Sequence, residues 1–85
     1  MAIWRVTSPK DLGMALAEYR KAAGMNQEEL SQWMDVNRRY LSVLETGEAS
    51  LQVRRLFDVF SVLGLDLVLV PRDVKITEAP GEAIV

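Results

Sequence analysis

Residues Met25 to Gly47 read MNQEELSQWMDVNRRYLSVLETG. Two short helical patterns lie within this stretch, separated only by Asp35-Val36, which is too short for anything but a tight turn. Asn26 caps the first, Gln27 to Met34, whose inward face is Leu30 and Met34. Asn37 caps the second, in which Leu41 and Leu44 point inward and Gly47 supplies the stop. Ser31 is the small residue that a close helix crossing needs, and Asp35 stands where the turn wants a positive φ. Two adjacent arginines, Arg38 and Arg39, open the second helix.

Working outward, Ile3 to Thr7 is a short apolar, β-branched lead-in, and residues 1–8 together precede the first helix. Ser8-Pro9-Lys10-Asp11 carries the helix start: an N-cap, a proline at the first position and a carboxylate near the positive end of the dipole. The stripe Leu12, Leu16, Tyr19 and Ala23 follows, and Gly24 stops it. On the other side, Glu48 to Leu51 reads as a loop. The fourth helix then places Val53, Leu56, Phe57, Phe60 and Leu63 on its core face, and Gly64 closes it. Met14, Met25 and Met34 read as core filler. Residues 9–64 thus form one helical domain.

Leu65 to Val70 is nearly all apolar and ends at Pro71, the pattern of a strand over 65–71. Such a strand pairs with the lead-in, with its own copy in a second subunit, or with both. Residues 72–85, including DVKITEAPGEAIV from Asp73, have no helical period and read as a flexible tail.

Eighty-five residues with 49% hydrophobic content suffice for one small domain. A core of this size supplies only a few kcal/mol by itself, so further burial against a partner subunit is expected. The absence of Cys and His removes disulfides, thiolate nucleophiles and the usual metal ligands and general base. With no glycine-rich phosphate loop or paired-carboxylate motif either, an enzyme is not expected, nor a metal or cofactor. No apolar run approaches a membrane span, and MAIWRVTSPK lacks the h-region of a signal peptide, so a cytoplasmic protein without a membrane partner is expected.

The net charge of −2 argues at first against nucleic acid. Its distribution says otherwise. From Asn37 to Arg55 four arginines face Glu45 and Glu48, giving 4 − 2 = +2, whereas Asp73 to Val85 has one Lys against three carboxylates, giving −2. DNA senses the local field within a Debye length of about 8 Å. Two short helices joined by a tight turn meet the requirement for a helix-turn-helix, whose second helix enters the major groove. The alternative is a solvated helix end at Arg38-Arg39. For Arg54 and Arg55 that solvated reading outweighs a phosphate contact.

These residues resemble a known family. Gln27-Glu28-Glu29-Leu30-Ser31, Val36, Tyr40-Leu41-Ser42 and Leu44-Glu45-Thr46-Gly47 are similar to the pattern Q-x-E-L-A, G-V, Y-I-S and I-E-x-G of the Cro/C1-type (XRE) repressors. The departures are Ser31 for the usual alanine and Asp35 for the usual glycine. The following helix, strand and tail resemble, more narrowly, the HipB antitoxins that neutralise HipA-type kinase toxins. The resemblance implies an all-α, lambda-repressor-like four-helix domain with one C-terminal strand pairing across a dimer. It implies base contacts from Asn37, Arg38, Arg39 and Val43, and phosphate contacts from Asn26, Gln27, Ser42 and Thr46. Arg20 and Glu45 match a structural pair bridging the first helix to the end of the third.

The function so implied is a homodimeric, sequence-specific repressor on a palindromic operator, and the antitoxin partner of a HipA-like kinase toxin that represses its own operon. Leu65, Leu67, Val68, Leu69 and Val70 would form the dimer strand. The tail and the flank of the dimer are the candidate toxin contacts. Two other readings stay open: a phage or restriction-modification regulator without a toxin partner, and an interaction module that captures a peptide on the strand edge. Trp33 either folds onto the core or belongs to a partner surface.

Overall fold

Four helices and one two-stranded sheet make up the computed structural model, which describes residues 3–74. In chain order they are β1 (Trp4–Val6), α1 (Pro9–Ala22), α2 (Gln27–Met34), α3 (Arg38–Glu45), α4 (Leu51–Leu63) and β2 (Leu67–Leu69). From residue 75 onward the expected tail lies outside the described residues.

Each helix starts where a short polar side chain satisfies its first N–H groups. Ser8 accepts from the Asp11 N–H, Asn26 from Glu29, Asn37 from Arg39 and Ser50 from Val53. The Ser50 cap starts α4 at Leu51, a residue that reads as loop in the sequence. Asp11 in turn accepts from the hydroxyl and the backbone N–H of Thr7. Those bonds hold its pKa below the ordinary carboxylate value.

β1 and β2 pair antiparallel, with Trp4 opposite Leu69, Arg5 opposite Val68 and Val6 opposite Leu67. The lead-in is therefore a partner of the C-terminal strand within one chain. Arg5 pairs with Asp66 beside the sheet, and the Tyr19 hydroxyl donates to the Leu69 carbonyl, tying the sheet to α1. The strand is shorter than the sequence suggests. The Leu65 N–H closes the end of α4 on the Phe60 carbonyl, so Leu65 belongs to the helix cap.

The core gathers Val6, Ala15 and Phe57, with Trp4, Leu12, Val53, Phe60, Leu67 and Leu69 packed against them. The lead-in is thus part of the core at Trp4–Val6, because Val6 is 1% exposed. Leu67 and Leu69, expected at a dimer interface, face this core, while the Val68 side chain lies on the exposed side. Several residues expected inside are not. Met14, Met34 and Leu56 are about half exposed, Leu63 more so, and Ala23 is exposed. Four short helices cannot cover one another on more than one side, so the wider apolar stripes overrun the available contact.

One close approach positions α3. Gly13 is buried within α1, and a Cβ there would lie 2.6 Å from the carbonyl oxygens of both Leu44 and Glu45. The end of α3 therefore rests on bare α1 backbone. Gly47, at φ +86°, likewise brings the chain against Lys10, where a Cβ would meet the Lys10 Cα at 2.7 Å. Gly13→Ala would gain about 1 kcal/mol of helix propensity, yet it must push two backbones apart. A net loss of about 1–3 kcal/mol is expected in urea unfolding. Unchanged or raised stability would show that the crossing opens freely.

Candidate nucleic-acid interface

The turn between α2 and α3 is built by Asp35, the one non-glycine residue with positive φ among the described residues (φ 56°, ψ 45°). An aspartate tolerates this left-handed geometry better than most side chains. The Val36 N–H then reaches back to the Ser31 carbonyl at 3.0 Å. Ser31 is buried, and its hydroxyl donates to the Glu28 carbonyl at 2.7 Å, so a serine in place of alanine leaves no unpaired polar atom. Leu41, 3% exposed, anchors α3 from the inside.

A polar network fixes α3 against α1 and α2. Arg20 donates through two nitrogens to the two carboxylate oxygens of Glu45, at 2.7 and 3.0 Å, and through its third to the Met25 carbonyl at 2.8 Å. The Gln27 amide donates to the same carboxylate at 2.9 Å. Both charged side chains are largely buried. These hydrogen bonds, that from Arg20 first, hold the Glu45 carboxyl below its ordinary value, and the Arg20 guanidinium is raised correspondingly.

What this scaffold displays is the front of α3. Asn37, Arg38, Arg39 and Tyr40 are exposed, and Val43 is half-buried beside them. Arg38 and Arg39 occupy the first two positions of a helix with no carboxylate in its first turn, and no described carboxylate pairs with either. That end of a helix carries partial positive charge, so two cations there work against local stability by about 0.3–1 kcal/mol each. Arg39, Tyr40 and Val43 also form one wall of a cleft of about 540 Å³ whose other wall includes Ala49, Ser50 and Val53. α3 thus stands clear of the chain that follows it.

The residues expected on phosphates are placed less uniformly. Asn26 and Glu29 exchange two bonds in a capping box, which occupies the Asn26 side-chain oxygen and leaves its amide donors outward. Gln27 turns inward to Glu45. Ser42 is half-buried, and the Thr46 hydroxyl donates to the Val43 carbonyl at 2.7 Å, which commits its proton to the helix end. The inward roles of Gln27 and Gly13 escape a reading of spacing alone. A glycine inside an otherwise regular helical pattern is the one local signal that points to the second.

The family model described as helix-turn-helix matches residues 16–70, from the middle of α1 to just past β2. The chain belongs to the helix-turn-helix family. A relative of this helix-turn-helix protein is the uncharacterized HTH-type transcriptional regulator y4mF of Sinorhizobium fredii (strain NBRC 101917 / NGR234), 28% identical over 78 residues and covering 92% of each chain. No solved structure matches the chain. Among the described residues no helix is long and apolar enough to cross a membrane, and no cluster of carboxylates or other ligating side chains has the makings of a metal site.

Proposed function

We propose that this helix-turn-helix protein is a DNA-binding transcriptional repressor that reads a palindromic operator as a homodimer, with Asn37, Arg38, Arg39 and Val43 toward base edges. The observation that carries this reading is the pair of unpaired arginines at the positive end of α3. They oppose the stability of their own helix, and a polyanion supplies the charge they lack. Arginine is also the best bidentate reader of guanine O6 and N7, and Val43 fits a thymine methyl. The outward amide of Asn26, at the N-terminus of α2, suits a phosphate.

Two features support the homodimer. Leu56, Val59, Val62 and Leu63 form an exposed stripe on α4, with Val62 85% exposed, beyond what scattered surface apolar residues require. Among the described residues the two-stranded sheet also has outer edges without a neighbouring strand, which a second copy can extend. A two-fold dimer sets its recognition helices one DNA turn apart, roughly 34–36 Å. Val62→Lys is expected to give monomers in sedimentation with the helical circular dichroism unchanged, and persistent dimers would remove α4 from the interface. A charge at Leu67 or Leu69 is a poorer probe, because it would enter the core.

The narrower reading is an antitoxin that neutralises a HipA-like kinase and represses its own operon. It rests on the resemblance of the stretch from Gln27 through the strand to the HipB antitoxins. Co-expression with the neighbouring reading frame tests it: a stable complex with a kinase supports the antitoxin, and operator binding without any such partner favours a phage-type or restriction-modification regulator. The DNA reading itself is tested by binding to the protein's own promoter against a scrambled duplex across a salt series. Selective affinity that falls steeply with salt is expected, and equal affinity for both duplexes would sink the proposal.

A further inference from the structure

Trp33 lies on the face of α2 opposite the buried Ser31 and is 79% exposed. Indoles are among the most buried side chains on average, and exposed ones concentrate at protein contacts. The ring forms one wall of a shallow surface recess of about 400 Å³ whose other walls are Glu29 and Gln32. One oxygen of Glu29 accepts the Asn26 N–H at 3.0 Å, which fixes the carboxylate and leaves its second oxygen free to accept. The Gln32 amide nitrogen leans toward Glu28 at 3.4 Å, which leaves the Gln32 carbonyl oxygen as a further acceptor. α2 carries Glu28 and Glu29 and no lysine or arginine, and Asp35 adds a third carboxylate at its end. No described cation pairs with these carboxylates.

An aromatic face flanked by a held carboxylate and a carbonyl oxygen is complementary to a planar cation with several donors. From this we infer that the Trp33 face of α2 docks a basic segment of a partner protein, by seating an arginine on the indole. The guanidinium stacks on the ring while its N–H groups donate to Glu29 and Gln32. A lysine ammonium has the charge but neither the plane nor the fork of donors. The contact forms on the free protein, so its fate is separate from that of the operator reading.

The indole N–H of Trp33 gives its own proton–nitrogen signal, told apart from that of Trp4 by the Trp33→Phe variant. Titration of the full chain with acetyl-Gly-Ala-Arg-Ala-Gly-amide is expected to move this signal saturably. The matching lysine peptide should bind roughly two- to fivefold more weakly, and the citrulline peptide, which keeps the shape without the charge, should leave the signal in place. Glu29→Gln retains the capping box and should weaken the arginine peptide by a similar factor. Absence of a saturable shift, an equal response to citrulline, or unaltered affinity in Glu29→Gln would overturn the inference. So would an indole signal that moves with protein concentration alone, which places a second copy on the ring, or one that moves only with operator DNA.

Discussion

Replacing Arg38 and Arg39 together with alanine is expected to weaken operator binding by about 2–4 kcal/mol, roughly 30- to 700-fold, while leaving the fold intact or slightly more stable. The two halves of this result have one cause. At the first two positions of α3 the guanidinium groups meet the positive end of the helix and no carboxylate. Removing them relieves an unfavourable local field, and alanine adds helix propensity. The DNA loses two direct contacts at once. Assayed singly, an arginine that reads a base relaxes preference at one operator position, whereas one that meets a phosphate weakens all sequences alike and lowers the salt slope by about one. A double variant that loses stability along with binding would show that the arginines hold the domain together.

Arg20→Ala is expected to cost about 3 kcal/mol, a large fraction of what a domain of this size has. The substitution leaves Glu45 charged and mostly buried, and it also strips the Met25 carbonyl of its donor. Glu45→Gln should cost less, because a neutral amide still accepts from Arg20. The pH dependence separates the two effects. The folded protein holds the Glu45 carboxyl below its ordinary value of 4.5, so the unfolded chain takes up the proton first as the medium is acidified. The stabilisation is fully present above about pH 4.5 and is lost as pH falls through the folded value. In urea melts from pH 7 to pH 3, wild type should lose more stability than Glu45→Gln. Parallel curves would mean that the pair contributes nothing through its charge.

The caps at Ser8, Asn26 and Asn37, the glycine stop after α3 and the left-handed turn at Asp35 were legible because each is a local matter. One side chain and the backbone within three or four residues decide them. The tight spacing around that turn makes the helix-turn-helix legible in the same way. The candidate site was legible in part. Arg38 and Arg39 are exposed at the front of α3, but Gln27, for which the family resemblance implied a phosphate contact, turns inward to Glu45. Its partner lies 18 residues away, and no local rule gives that distance.

Four helices, three of them with their caps, an apolar strand and a helix that opens on two arginines in an acidic chain can all be read from the residues, since periodicity, capping and charge act over a few positions. Which apolar residues are covered follows from packing between elements. Leu67 and Leu69 pack against the core of their own chain, while Leu56, Leu63, Met14 and Met34 face outward despite their periodic spacing. The tertiary structure also decided that β2 pairs with Trp4–Val6 across the whole length of the domain, and that Gly13 lets α3 rest on α1 backbone. The physical reason is that burial belongs to the space between elements. A side chain's period states which way it points, and only the packing of its neighbours states whether anything is there to meet it.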